Sequence, residues 1–148
     1  MAIHLVDSQQ NRISFCSFYD NAEDIILFEN SNYNKIINCT CVGNRFSGIH
    51  VQRSSGNQIT NCSCINGNGG ISLSSAPNST LSRNTMSNNY ENFGIGSPIL
   101  SDFYCDIDTS NTINGKPIYY WIDHHNQQIP SLHGFSLVLQ YALLEYDF

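Results

Sequence analysis

Charged side chains are scarce in this chain of 148 residues, because Asp, Glu, Lys and Arg together account for 12% of it. Only six residues are Lys or Arg, whereas twelve are Asp or Glu, and the formal net charge is −6. Proteins that bind nucleic acid need a basic stripe that displaces the counterions of the phosphate backbone. The composition therefore argues against a nucleic-acid partner.

Long apolar runs are missing as well. No stretch approaches the ~20 apolar residues that a helix needs to cross a bilayer, so we expect no direct membrane insertion. The opening residues 1–4 do not resemble a signal peptide. We expect that a targeting segment of an exported protein would lie outside this chain.

Asn and Ser are abundant instead, with nineteen residues of each, and they recur at fixed distances from four isoleucines. These isoleucines lie 23, 23 and 22 residues apart and are Ile3, Ile26, Ile49 and Ile71. Eight residues after the first three come Asn11, Asn34 and Asn57, and ten residues after all four come Ile13, Ile36, Ile59 and Leu81. Such a period is typical of stacked repeats, in which each unit buries its apolar side against the next.

The spacing within each repeat indicates strands. Apolar residues occur singly or in pairs two positions apart, separated by turns rich in Ser, Asn and Gly, and nothing repeats at the 3.6 residues of a helix. Leucine-rich repeats have a similar length but need several leucines and a helix in each unit. We therefore predict an all-β right-handed parallel β-helix of about five coils, in which three short strands per coil stack about 4.8 Å from their equivalents.

The regular repeat weakens after residue 94. We predict one β-helix domain over residues 1–148, with four regular coils in 1–94 and an irregular fifth coil in 95–110, where Pro98 interrupts the strand. Residues 111–134 are predicted to form a β-hairpin and a loop, because Asn114-Gly115 is a strong turn signal ahead of the strand-forming run 118–121. Residues 135–148 are predicted to form a terminal strand or cap.

The first coil has no visible cap, since its first inward residue is Ile3. An uncovered coil exposes unpaired strand edges and the apolar core. We expect either that the chain is a fragment of a longer β-helix or that it self-associates through its uncapped coil ends.

Five of the six cysteines follow the repeat. Cys16, Cys39 and Cys62 form one column of equivalent positions, and Cys41 and Cys64 form a second. This pattern favours reduced thiols that stack as small apolar side chains in the core. Thiolates in two adjacent columns could instead bind Cu(I) or Zn(II). No CxxC motif or His partner accompanies them, and we predict no cofactor.

Two aspartates in the irregular coil are candidates for acid–base catalysis. If Phe103, Cys105 and Ile107 point inward from one strand, Asp106 and Asp108 point outward together about 6.6–7 Å apart. That separation is close to the distance between the two carboxyl groups of inverting glycosidases. The alternative is a pair of surface aspartates without a catalytic role.

The first four coils show no comparable cluster. The carboxylates of Asp7, Asp20 and Glu29 fall in different columns, so we predict no catalytic face there. His4 and His50 share an outward column two coils apart, roughly 9.6 Å, which is too far for one metal ion, and we interpret both as solvated.

The aromatic strand of the hairpin has two interpretations. Tyr119 and Trp121 could pack over the β-helix, or they could form an exposed stacking surface for a sugar ring. The loop that follows contains Asp123, His124 and His125, which we consider as a metal site. Adjacent residues of an extended segment face opposite ways, which makes joint chelation by the two histidines rare.

The third coil reads Gly48-Ile49-x-Val51-x-x-Ser54-x-x-Asn57-x-Ile59-x-Asn61-Cys62 and resembles the repeat of the NosD-like, or CASH-type, right-handed β-helix proteins. Residues 111–121 are similar to a hairpin module of archaeal extracellular proteins in that group. The resemblance implies a cell-surface or extracellular location and a role in binding or processing carbohydrate, and the NosD name is associated with copper delivery. Because the shared repeat is structural, it identifies no catalytic residue.

These observations favour a structural or binding module without catalysis, whose partner is a polysaccharide or another surface protein. Two alternatives stay open. One is a polysaccharide lyase or glycoside hydrolase that uses Asp106 and Asp108, and the other is copper or zinc binding through the stacked cysteines.

Overall fold

The computed structural model describes residues 1–126, 128–131 and 134–139, the last of these as backbone alone. Three strands form each of five coils, as the sequence predicts. The strands of the first two coils are β1 (Ile3–Val6), β2 (Arg12–Ser14), β3 (Ser17–Tyr19), β4 (Ile26–Glu29), β5 (Lys35–Ile37) and β6 (Thr40–Val42). Those of the next three are β7 (Ser47–Gln52), β8 (Gln58–Thr60), β9 (Ser63–Ile65), β10 (Gly69–Ser74), β11 (Thr80–Ser82), β12 (Thr85–Ser87), β13 (Glu91–Gly96), β14 (Asp106–Ile107) and β15 (Thr112–Ile113).

Equivalent strands pair in parallel and form three sheets that run along the β-helix. Sheet A is β1-β4-β7-β10-β13, sheet B is β2-β5-β8-β11-β14, and sheet C begins β3-β6-β9-β12-β15. The register follows the repeat, since Ile13 pairs with Ile36, Ile36 with Ile59, and Ile59 with Leu81. Equivalent side chains therefore lie directly over one another, and the predicted all-β solenoid is confirmed.

The interior is an apolar core with polar ladders at its corners. Ile36, Ile59 and Leu81 are buried, and Ile13 lies at the edge of the core. At one corner the backbone N–H of Asn34 donates to Oδ1 of Asn57 at 2.8 Å, and the backbone N–H of Asn11 donates to Oδ1 of Asn34 at the same distance. Each buried Asn thus satisfies a backbone group that the turn leaves unpaired.

The fifth coil departs from the prediction at one corner. Nine residues, 97–105, connect β13 to β14, whereas five, 75–79, connect β10 to β11. The longer connection contains a 3₁₀ helix, Leu100–Phe103. Phe103 therefore does not share a strand with Ile107, and the predicted run of Phe103, Cys105 and Ile107 is wrong. The extra residues form a helical turn after Pro98, and the register resumes where Ile107 pairs with Leu81.

The predicted hairpin is present. β15 pairs antiparallel with β16 (Lys116–Ile122), and Asn114 and Gly115 have φ values of +50° and +76° in the turn. Two consecutive positive φ values are typical of the type I′ turns that connect hairpin strands. β17 (Phe135–Leu139) then pairs in parallel with β16. The predicted cap over residues 142–148 lies outside the described residues.

Candidate functional site

The outer face of sheet A carries a hydrogen-bonded set that crosses three successive coils. His50 lies on β7, and its Nδ1 is 3.4 Å from Oδ2 of Asp24, which precedes β4. The other ring nitrogen, Nε2, is 3.4 Å from Oγ of Ser74 at the end of β10. The imidazole is therefore held between a carboxylate and a hydroxyl. The interpretation of His50 as a solvated residue is wrong, because its side chain is only 22% exposed.

Asp24 is fixed from a second direction. Its Oδ1 accepts a hydrogen bond from the backbone N–H of Ser47 at 2.7 Å, and its side chain is 18% exposed. Burial alone would raise the pKa of Asp24, but the hydrogen bonds from His50 and Ser47 outweigh burial and hold the pKa below its ordinary value of 3.8. Asp24 is therefore an ionised carboxylate that orients the imidazole.

A second polar group lies on the same face, nearer the first coil. The carboxylate of Glu29 accepts a hydrogen bond from Arg53 and lies 3.4 Å from Nε2 of His4. Arg53 also donates from Nε to Oδ1 of Asn30 at 3.3 Å. His4 is thus paired with a carboxylate, whereas we predicted that it is solvated.

An open groove of about 310 Å³ runs over the Asp24–His50 pair. Its polar lining includes Asn68 and Glu91 in addition to that pair, and two aromatic rings border it. Tyr90 is 93% exposed and Phe46 is 57% exposed, although both are large apolar side chains. We call this feature the sheet A groove.

Small residues lie on one side of Ser74. In the register of sheet A, Gly96 of β13 is the partner of Ser74, and Gly94 is the partner of Ser72. A Cβ atom added at Gly96 would meet no other atom within 4 Å. On the other side, the register partner of Ser74 is Gln52 of β7. The hydroxyl of Ser74 is therefore flanked by a carboxamide residue and by open space.

Comparison with known proteins supports the fold assignment. The family model described as "Right handed beta helix region" matches residues 1–118. The chain belongs to this right-handed β-helix family. No curated protein and no solved structure matches the chain.

The cysteines lie where the β-helix repeat predicts. Cys41 pairs with Cys64 in the register of sheet C, and Cys39, Cys41, Cys62 and Cys64 are buried and free. Cys16 is half-buried. The thiol of Cys62 donates to the carbonyl of Thr60 at 3.4 Å, and that of Cys39 donates to the carbonyl of Ile37 at 3.5 Å. These thiols are therefore hydrogen-bonded within the β-helix core.

The electrostatic surroundings of Cys62 and Cys64 favour the thiol form, whereas those of Cys39 favour the thiolate. The hydrogen bond between Cys39 and Cys62 lowers the pKa of Cys39 to about 6 and raises the pKa of Cys62, which burial raises further. The pKa of Cys64 is raised by its hydrogen bond with Cys41 and by burial. Metal ligation requires thiolates, and no group of three His, Cys, Asp or Glu side chains is placed to hold a metal in the described part of this β-helix.

The two predicted aspartates have different surroundings. Asp108 accepts hydrogen bonds at Oδ1 from the backbone and hydroxyl of Ser110, so its carboxylate closes the turn after β14. Asp106 is exposed on β14 and borders a second groove, of about 490 Å³, together with Asn78 and Tyr104. The structure thus assigns Asp108 a local role, and joint catalysis by Asp106 and Asp108 stays a prediction.

The hairpin aromatics form a small stack at the end of the β-helix. Tyr119 and Trp121 are half-buried and meet edge to face with ring centroids 5.7 Å apart. Trp121 also stacks on His124 at 5.7 Å with an interplanar angle of 11°. Tyr120, on the opposite face of β16, is buried and donates to the carbonyl of Phe103. His124 is thus engaged with an indole ring.

Sequence reasoning missed the sheet A groove. It followed columns of equivalent residues, whereas Asp24 and His50 are 26 residues apart and His50 and Ser74 are 24 apart. A search for polar residues one to three positions off the period, on neighbouring strands of one face, would have found them.

No helix in the described residues is long and apolar enough to span a membrane.

Proposed function

We propose that this β-helix is a carbohydrate-binding module of a cell-surface or secreted protein, and that the sheet A groove is its binding site. The observation that carries the proposal is a polar groove bordered by two exposed aromatic rings, Phe46 and Tyr90. Two exposed rings beside one polar groove suit the flat apolar faces of sugar rings, while the polar side chains between them suit sugar hydroxyls.

The repeat sets the distance between the two rings. Phe46 precedes Ser47, and Tyr90 precedes Glu91, and both Ser47 and Glu91 are register partners of Gly69. The two aromatic residues therefore occupy the same corner two coils apart, which corresponds to about 9.6 Å of strand spacing. This span suits an extended ligand with more than one ring, such as a segment of a polysaccharide.

The charges in the groove favour one class of glycan. Its carboxylates are those of Asp24 and Glu91, and its other polar side chains include His50 and Asn68. Carboxylates and amides hydrogen-bond well to sugar hydroxyls, while two negative charges repel uronic acids. We therefore expect neutral or amino-sugar polymers to bind and acidic polymers to be rejected.

A glycan array followed by calorimetry tests this function. We expect Tyr90→Ala and Phe46→Ala to weaken binding about tenfold each, since one lost aromatic contact corresponds to roughly 1.4 kcal/mol. Phe15→Ala is the matched control, because Phe15 is 75% exposed but lies between β2 and β3, at another corner. Absence of retention on every neutral or amino-sugar polymer would refute the proposal, as would an equal loss in the control.

The proposed location needs a separate measurement. We expect an antibody raised against residues 1–126 to detect the protein in the envelope or medium fraction of its source cells. Detection only in the cytoplasmic fraction would contradict a surface or secreted role.

A further inference from the structure

We propose that Asp24, His50 and Ser74 form an acyl-transfer site that hydrolyses carboxylic esters. Asp24 and His50 line the sheet A groove, and Ser74 lies beside it, on the far side of the His50 ring. If the groove binds carbohydrate as proposed above, the substrate class is an O-acylated carbohydrate whose ester reaches past His50 to Ser74. The basis is connectivity: a carboxylate contacts Nδ1 of the imidazole, and a serine hydroxyl contacts Nε2 of the same ring. This is the order of groups that activates a serine nucleophile, and it recurs on unrelated folds. It departs from our expectation of a module without catalysis and from the prediction that the first four coils carry no catalytic face.

The site requires one tautomer of His50. In this tautomer the imidazole carries its proton on Nδ1 and donates it to Asp24, which leaves the lone pair of Nε2 directed at the hydroxyl of Ser74. Both contacts measure 3.4 Å, longer than the 2.6–3.2 Å of a tightened catalytic hydrogen bond. Such looser contacts are common in sites without substrate.

The reaction balances with water as the only co-reactant. The oxygen of Ser74 bonds to the ester carbonyl carbon while its proton moves to Nε2 of His50, and the carbon–oxygen bond to the alcohol breaks as the alcohol takes that proton. Water then attacks the acyl-Ser74 ester with His50 again accepting a proton. The bond to Ser74 breaks, the serine recovers its proton, and a carboxylic acid leaves.

The second observation is the open space beside Ser74. The corresponding outward positions in the first two coils are Val6 and Glu29, and that in the fifth coil is Gly96. Only in the fourth coil does a hydroxyl residue stand beside a glycine whose missing side chain leaves space. The acyl group would occupy this space, and Gln52 would supply an amide donor toward the developing oxyanion.

A fluorophosphonate probe tests the nucleophile directly. Its phosphorus bonds to the attacking serine oxygen and fluoride leaves, so peptide mass spectrometry identifies the labelled residue. We expect one adduct, on Ser74, that Ser74→Ala abolishes. His50→Gln should slow labelling about 100-fold, and Asp24→Asn about tenfold or more. Ser82→Ala is the matched control, because Ser82 ends the equivalent strand of sheet B, and we expect it to leave labelling unchanged.

A second variant tests access without touching the three residues. Gly96→Val adds a side chain to open space, so the fold should be retained while labelling of Ser74 falls about tenfold or more. Release of acetate from acetylated xylan then measures turnover, with Ser74→Ala as the blank. No adduct on Ser74, or labelling indifferent to His50→Gln, would overturn the acyl-transfer site.

The two proposals can fail separately. Glycan binding without labelling of Ser74 would overturn the acyl-transfer site and leave the binding function standing. Labelling of Ser74 with hydrolysis of p-nitrophenyl acetate, but with no glycan retained, would support the acyl-transfer site and overturn the carbohydrate assignment.

Discussion

The Asn ladder inside the β-helix and the Asp24–His50–Ser74 set on the outer face of sheet A have different spacings. In the ladder, the backbone N–H of Asn34 donates to its register partner Asn57, 23 residues away. On the outer face, 26 residues separate Asp24 from His50 and 24 separate His50 from Ser74, so these contacts run diagonally. Stacking makes each interior position equivalent to the next, whereas long polar side chains reach across the register. The repeat thus determines the fold, and departures from it create the site.

The largest expected effect is the difference in unfolding free energy between alanine substitutions at two glycines of sheet A strands. A Cβ atom at Gly70 would overlap the carbonyl oxygen of Asn92, whereas one at Gly96 would meet nothing. We expect Gly70→Ala to lower the free energy of unfolding by about 3 kcal/mol, or to prevent folding, because backbone cannot give way. Gly96→Ala should change it by less than about 0.5 kcal/mol. Urea denaturation measures both, and equal effects would contradict the interior–exterior distinction.

The next comparison uses neighbouring isoleucines on one strand. Ile36 points into the core and is fully buried, while Ile37 of the same strand β5 is only partly buried. We expect Ile36→Ala to cost about 3 kcal/mol through lost burial and a residual cavity. Ile37→Ala should cost less than about 1 kcal/mol, and thermal and urea unfolding would report the difference. A larger loss at Ile37 would mean that the face taken as interior is wrongly assigned.

The reactivity of three cysteine thiols gives a chemical test of the contrast between the interior and the surface. Cys62 and Cys64 are buried with raised pKa values, and burial raises the pKa of the half-buried Cys105 to about 11. At pH 8 we expect native Cys62 and Cys64 to resist iodoacetamide and Cys105 to react at least tenfold more slowly than an ordinary thiol. All three should react quickly in urea, which serves as the control. Rapid native labelling of Cys62 would revive the thiolate metal hypothesis.

The smallest expected effect is a change in stability at acidic pH. Because the pKa of Asp24 is lowered in the folded protein, its interactions with His50 and Ser47 add stability above its ordinary pKa, and this stability is lost as the pH falls through the lower folded value. The difference in unfolding free energy between the native protein and Asp24→Asn should therefore shrink as the pH drops below 3.8. Chemical denaturation at a series of pH values measures it. A difference that grows on acidification would contradict the ionised Asp24.

Much of the fold could be predicted from local sequence, because the physical cause is local or strictly periodic. The column of Ile13, Ile36 and Ile59 follows from the period, and the hairpin turn follows from Asn114-Gly115. Phe103 was misplaced because its inserted residues form a 3₁₀ turn that alternation cannot reveal.

The sheet A groove could not be predicted in the same way. His50 and Ser74 occupy unremarkable positions of the repeat, and only side-chain reach across neighbouring strands brings them together. Tyr90 and Phe46 share a corner, but the residue between them in that column is Asn68, so the sequence shows no aromatic stripe. The two rings border the same groove because both lie at the same exposed corner of the β-helix.

The nine-residue corner between β13 and β14 has a further consequence. Four more residues than in the preceding coil are accommodated there, and Ile107 still returns to its place above Leu81. Chain length can therefore vary at this corner while the stack continues undisturbed. Because the corner begins directly after Gly96, an insertion there would change the surface beside Ser74 while the sheet stays in register.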